Sequence, residues 1–347
     1  MLVDSPPEQR AESAPAPPTR RAARALGLLL SVAILVLVAL ASIAVGAKAL
    51  SPDQVWHGLV HDTGTYGDVV VDERLARTVL GLLVGAALGL AGAVLQALTR
   101  NPLADPGLLG INAGASAAVV TAISFFGVTS LTGYVWFAFL GAAAVGALVW
   151  FLGGSRGATP VRLALAGTAV SAALYGYLQA VMILDDAALS RMRFWTVGSL
   201  ASATDSTIVQ VLPFLAVGTL LALALARPLN AVEMGDDTAR ALGADLNRTR
   251  ALAMLAATVL CGAATAACGP ILFVGLMVPH VVRSFTGPDL RWILPYATVL
   301  SPVLLLGADV IGRIAARPSE LQVGVVTAIV GGPVFIHLVR RRRTAQL

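Results

Sequence analysis

Between Leu26 and Val339 the chain returns repeatedly to apolar runs of about twenty residues, and its arginines, prolines and aspartates crowd into the short segments between them. A helix rises about 1.5 Å per residue, so such a run covers the roughly 30 Å of a bilayer's hydrocarbon. One apolar run fits inside a soluble core, but a long succession of them does not. Only 12% of residues are charged and 57% are hydrophobic, against about 25% charged in a soluble domain. Lipid is therefore the solvent, and backbone amides in lipid must be satisfied within each segment, which makes the runs helices.

The runs predict an all-α polytopic membrane protein with ten transmembrane helices, at about 26–46, 75–98, 106–126, 133–152, 162–184, 207–226, 250–268, 271–285, 292–312 and 321–339. Residues 1–25, rich in Pro, Ala, Ser and Arg, read as a disordered cytoplasmic tail. A single membrane domain follows over 26–340, and 341–347 form a second cytoplasmic tail. The run from Leu26 to Val45 is longer than the apolar part of a signal peptide and lacks a clear cleavage site, so it reads as the first membrane helix. Cys268-Gly269-Pro270 must interrupt the helical pattern, because proline removes a donor and clashes with the preceding turn. Cys261 and Cys268 are two helical turns apart, too far for a disulfide on one helix, and read as small packing residues.

Charge sets the orientation. With the N-terminus in the cytoplasm and ten crossings, 17 of the 24 Lys and Arg residues fall inside and 7 outside, the positive-inside bias of a multi-pass membrane protein with both termini cytoplasmic. Three of the outside residues, Arg74, Arg77 and Arg313, run against the trend. They read either as helix-end arginines reaching to the interface or as a site for an acidic partner, since guanidinium forks match carboxylates. Within the membrane depth Gln96, Asn112, Gln179 and Asp309 are the polar exceptions and must face protein or a cavity. Gly81, Gly85 and Gly89, continued by Ala93, form a small-residue stripe for close helix packing. His57 and His61 lie near acids but show no tight metal-ligand cluster, so the 47–74 segment reads as a solvated loop.

Two cytoplasmic connections stand out. Asp105 is placed to cap a helix beginning at Pro106. Residues 229–243 are charged and helix-like on either side of Gly235, a surface element rather than a crossing. No phosphate-binding loop, HExxH or GxSxG pattern occurs, so active transport would draw its energy from another chain or an ion gradient.

Several motifs then occur in order: Arg74-Leu75-Ala76-Arg77 with the Gly81–Gly92 stretch, Gln96 with Arg100 through Pro106, and Trp195-Thr196-Val197-Gly198-Ser199-Leu200. Leu229 through Gly243, Gly269 through His280, Pro318 through Gly324 and Gly331-Gly332-Pro333 follow. In this series the chain resembles, over about 26–340, the permease subunit of the iron–siderophore, haem and vitamin B12 importers of the ABC class, the type II importers. The resemblance implies a permease dimer, of like or related chains, with two cytoplasmic ATPase subunits and an external substrate-binding protein. It implies no catalysis and no cofactor or metal in this chain, ATP and Mg being held by the ATPase. By resemblance, Leu229, Asn230, Glu233, Met234, Gly235, Thr238, Ala239, Leu242 and Gly243 form the ATPase-coupling helices. Arg74, Arg77 and Arg313 are the docking positions for the binding protein, and His280 reads as a packing or hydrogen-bonding residue rather than an iron ligand. Gln96 and Gln179 are expected in the pathway wall. A chelated iron is the expected cargo, a ferric siderophore first, with haem or a corrinoid as alternatives and an ion-driven secondary transporter as the rival class.

Overall fold

The computed structural model describes residues 20–46, 50–60, 65–154 and 160–343, and among these the regular structure is helical throughout. In chain order the helices are α1 (Arg20–Ala44), α2 (Pro52–Val60), α3 (Tyr66–Thr99), α4 (Ile111–Phe126), α5 (Leu131–Gly154), α6 (Pro160–Leu184) and α7 (Asp186–Trp195). Then come α8 (Asp205–Ala224), α9 (Ala226–Glu233), α10 (Asp236–Ala241), α11 (Leu246–Cys268), α12 (Val274–Thr286), α13 (Leu290–Ala315) and α14 (Val323–Arg343). Seven of them, α1, α3, α5, α6, α8, α11 and α13, are long and apolar enough to cross a membrane. Helix α4 and the apolar part of α14 are shorter. Helix α12, with 13 residues, reaches only about 20 Å.

Each predicted run thus coincides with a helix, but the boundaries differ in instructive places. Helix α3 begins at Tyr66, nine residues before the expected start at 75, because Thr65 and Asp68 form a capping box and Val71 is buried against Ile43 and Leu50. The expected loop there also contains α2, whose Gly58 lies against the Val71 side chain. His57 Nδ1 meets Asp68 Oδ1 at 3.3 Å, and no group of three metal-ligating side chains occurs among the described residues. His61 lies outside the described residues. The run at 106–126 is broken: a 3₁₀ turn at Pro106–Leu109 ends at Gly110, whose φ of 74° restarts the chain as α4. The Asp105 side chain accepts from Gly107 N at 2.7 Å, as its capping position predicts.

The bundle has two ends. Tyr296 Oη donates to the Arg24 carbonyl at one, and Arg313 donates to the Ser42 carbonyl at the other, so α1 and α13 run in parallel. The start of α3 pairs with the end of α13, so these two are antiparallel. The end where α1 begins and α14 finishes is called here the tail end.

Helix α3 is the central post. Gly81 faces Leu306, Gly85 the Pro302 backbone and Gly89 Ser301 and Ala297, so the predicted stripe packs on α13. Ala93 is fully buried, and Gly92 touches the Gly275 backbone of α12 so closely that no Cβ fits. After Cys268 the chain is non-helical through 269–273, and the left-handed Phe273, φ 70°, is the N-cap of α12. Within that irregular stretch Gly269 and Ile271 are buried and Leu272 is exposed. Ser199 N donates to the Cys268 carbonyl at 2.8 Å, and Gly198, φ 80°, lies on the Pro270 carbonyl. The glycines of the Trp195–Leu200 and Pro318–Gly324 motifs are therefore points of backbone-to-backbone contact, with Gly324 N donating to Gly198 O at 3.1 Å. Both cysteines are buried and free.

Candidate functional site

At the tail end α8 leads almost directly into α9, which places Ala226, Leu229 and Val232 on one buried face. The chain reverses at Gly235, φ 112° and ψ 153°, a region essentially reserved for glycine. Nothing lies within 4 Å of a Cβ added there, so backbone conformation and not space demands the glycine. Helix α10 then folds back, with Ala239, Val232 and Leu246 forming a small core of their own.

Polar contacts tie this hairpin to four helices of the bundle. Asn230 Nδ2 donates to Asp289 Oδ1 at 2.7 Å, and Asn230 Oδ1 accepts from Leu290 N at 2.9 Å, where α13 begins. Glu233 pairs with Arg283 of α12 at 2.8 Å. Arg100, which ends α3, donates to the Val232 carbonyl at 2.8 Å and pairs with Asp236. Arg250 of α11 reaches both Asp236 oxygens at 2.9 Å. Desolvation opposes ionisation of Asp236, but the hydrogen bonds from Arg250 and Arg100 outweigh it and keep the carboxyl below its ordinary range. The Arg291 side chain, aided by its own N–H and by Asn230, brings Asp289 down to about 2. Across the same end Asp105 goes the other way, to about 6, because burial outweighs its bond from Gly107.

The nine residues expected to form the coupling surface therefore divide into two groups. Leu229 and Ala239 are buried, and Asn230 and Glu233 are bonded inward, so these four fasten the hairpin to the bundle. Met234, Thr238, Leu242 and Gly243 are exposed around the turn at Gly235, with Met234 at 58% and Leu242 at 63%. Sequence reasoning missed the partners Asp236, Arg250, Arg283 and Asp289. Opposite charges on one side of the membrane were the available signal, but Arg100 and Asp236 are 136 positions apart.

At the opposite end the arginines are turned inward rather than presented outward. Arg77 grips Asp309 with Nε and Nη2, at 2.9 Å and 2.7 Å, and pairs with Glu320 through Nη1 at 2.7 Å. Arg313 pairs with Asp309 at 3.1 Å and donates to the carbonyl and hydroxyl of Ser42, both at 2.9 Å. Arg74 donates to the Ile43 and Ala44 carbonyls at 3.0 Å and 3.1 Å, and Arg317 to Gly46 O at 2.6 Å. The final carbonyls of α1, which no intrahelical donor can reach, are thus capped by arginines from α3 and from the end of α13. The Asp309 side chain is fully buried, whereas that of Glu320 is 35% exposed.

Gln96 is buried between α3 and α12, its amide donating to the Leu276 carbonyl at 3.0 Å, whereas Gln179 is exposed on α6. Asn112 is the polar centre of the core, accepting from Thr265 at 2.8 Å and from Cys261. A cavity of about 330 Å³ opens toward the Glu320 end, lined by Tyr134, Arg191, Trp195, Ser199, Thr207 and Gln322.

The sequence pattern of the FecCD transport family matches residues 34–341. The chain belongs to the FecCD transport family. It is 47% identical over 327 residues to the ferric enterobactin transport system permease protein FepD of Escherichia coli (strain K12), covering 93% of this chain and 96% of that one. To the hemin transport system permease protein HmuU of Yersinia pestis it is 37% identical, covering 92% of this chain and 96% of the other. Among solved structures it is similar to an inward-facing metal-chelate type ABC transporter, with TM-score 0.81, 28% identity, and 91% and 99% of the two chains covered. This FecCD chain is accordingly a membrane-spanning permease subunit of an ABC importer and not itself an enzyme, ATP hydrolysis residing in a partner ATPase. Its all-α polytopic fold is that expected of a type II importer.

Proposed function

We propose that this FecCD permease imports a ferric siderophore across a bacterial cytoplasmic membrane by alternating access at the interface between two permease copies. Ten crossings carry the pathway, formed by α1, α3, α4, α5, α6, α8, α11, α12, α13 and α14, with the tail end in the cytoplasm. The hairpin of α9 and α10 carries this reading. It exposes Met234, Thr238 and Leu242 around Gly235 while its inner face is bonded to α3, α11, α12 and α13. An ATPase that engages the exposed turn pulls on four membrane helices at once, and ATP-driven closure of two such subunits is the power stroke.

An acidic external binding protein docks at the Glu320 end. There Arg77 and Arg313 share Asp309, Glu320 pairs with Arg77, and Arg74 donates to backbone carbonyls of α1, so three guanidinium groups stand beside two carboxylates and the cluster is net positive. Because Glu320 is the half-exposed member, docking proceeds by a partner carboxylate replacing it on Arg77. Gln179, exposed on α6, belongs to the pathway wall. Gln96, the other expected wall residue, is buried and holds α12 to α3 through the Leu276 carbonyl. The identity to FepD supports a siderophore cargo, and that to HmuU keeps haem as the second candidate.

Reconstitution tests this. The chain, its genomic ATPase and its binding protein in liposomes should accumulate a labelled ferric siderophore only with ATP on the ATPase side. Accumulation of haem or cobalamin instead would replace the cargo. Accumulation driven by an imposed ion gradient without ATP would overturn the importer reading.

A further inference from the structure

We propose that the cleft between α1, α12 and α13 at the tail end is a binding site for the headgroup of an anionic phospholipid, with Arg24 as its phosphate ligand. This inference is independent of the cargo. The cleft is open, about 610 Å³ in volume, and lined by Arg24, Gly27, Ser31, Ser284, Phe285 and Tyr296.

Its floor is built by one close approach. Tyr296 Oη donates to the Arg24 carbonyl at 2.6 Å, and the hydroxyl occupies the place a side chain at Gly27 would fill. Helix α1 is thereby pinned to α13 while a trough stays open beside the end of α12. Phe285, 53% exposed, lines the trough, and on the adjoining surface of α1 Leu26 and Leu30 are 69% and 63% exposed. Phe285 stands edge-on to Tyr296 at 5.3 Å, which fixes the far wall.

Among the described residues Arg24 is the uncompensated charge of this cleft. It is half-buried, its guanidinium carbon lies 5.9 Å from the centre of the Trp292 ring, and among the described residues it forms no ion pair. The acids on the neighbouring elements are already matched: Asp289 is bonded by Arg291 and Asn230, and Glu233 by Arg283. The hydroxyls of Ser31 and Ser284 donate to backbone carbonyls, so the guanidinium is the donor left for a ligand. The apolar exposure of α1 begins two residues later at Leu26, which puts Arg24, Trp292 and Tyr296 at the depth of lipid headgroups. A guanidinium fork above apolar walls recognises a phosphodiester bearing acyl chains. A choline headgroup is disfavoured, because Arg24 already covers the Trp292 face that would attract a quaternary ammonium.

The test is native mass spectrometry of the full-length, delipidated chain offered equimolar phosphatidylglycerol and phosphatidylcholine. The first retained lipid should be phosphatidylglycerol, by roughly fivefold, the preference one interfacial arginine supplies. Arg24→Gln should abolish that preference and Arg24→Lys should keep part of it. Arg21→Gln, which removes the same charge from an exposed position nearby, should leave it intact. Loss in Arg21→Gln equal to that in Arg24→Gln would reduce the effect to diffuse surface attraction and overturn the site. So would a wild-type chain without preference, or displacement of the lipid by inorganic phosphate at matched ionic strength, which would make the cleft a plain anion site.

Discussion

Arg77 and Asp309, 232 positions apart in sequence, face each other through two guanidinium nitrogens and two carboxylate oxygens, with Asp309 fully enclosed and Arg313 on its other side. The pair joins the start of α3 to the end of α13 and so closes the end of the bundle opposite the tails. A buried charge that loses its partner is costly because the remaining charge stays desolvated.

Asp309→Ala would leave Arg77 and Arg313 beside each other without their shared carboxylate. A loss of about 3–5 kcal/mol is expected, read as a lower melting temperature in detergent. Glu320→Ala removes a half-exposed, solvent-screened partner and should cost less than about 1 kcal/mol. Equal effects of the two would contradict the buried-network assignment.

Asp236 receives Arg100 from α3 and Arg250 from α11. Removing it with Asp236→Ala deletes charge-assisted bonds worth about 1.5–3 kcal/mol. Transport by the reconstituted complex should then fall on the order of tenfold or more, while ATP hydrolysis persists. A parallel loss of hydrolysis would mean that the hairpin had come off the ATPase, not that its link to the helices had been cut.

Two glycine substitutions should move stability in opposite directions. Gly92→Ala drives a methyl into the Gly275 carbonyl, and overpacking of this kind costs about 1–3 kcal/mol or more. Gly307 lies inside α13 with nothing within 4 Å of an added Cβ. Gly307→Ala should therefore gain up to about 1 kcal/mol from helix propensity.

Acid stability should show two opposed carboxyls. Asp289, lowered to about 2, contributes stability that is fully present above the ordinary carboxylate range near 4 and is lost as pH falls toward 2. Asp105, raised to about 6, binds its proton more tightly in the folded chain, so stability falls as pH rises from about 4 to 6. Asp105→Asn keeps a capping side chain and should flatten the melting temperature between pH 4 and 6. An unchanged slope in that variant would place the titration elsewhere.

By itself the sequence determined where the helices lie, because the length of an apolar run is set by the thickness of the solvent it must cross, a local property. The cap at Asp105, the break after Cys268, the glycine face of α3 and the turn at Gly235 were legible for the same reason. Each depends on a few adjacent residues and on backbone chemistry. The short helices α2 and α7 were not legible, since amphipathic segments of 9 and 10 residues carry little periodic signal. Nor was the inward direction of Arg74, Arg77 and Arg313. The sequence marks their depth and charge, but whether a guanidinium faces solvent or a carboxylate depends on which helix packs beside it. Arg77 meets Asp309 only because Gly81, Gly85 and Gly89 let α3 lie directly on α13. The same holds for Arg24, whose charge is plain in the sequence. Only the tertiary packing, by matching the neighbouring acids to other partners, left it facing an open cleft.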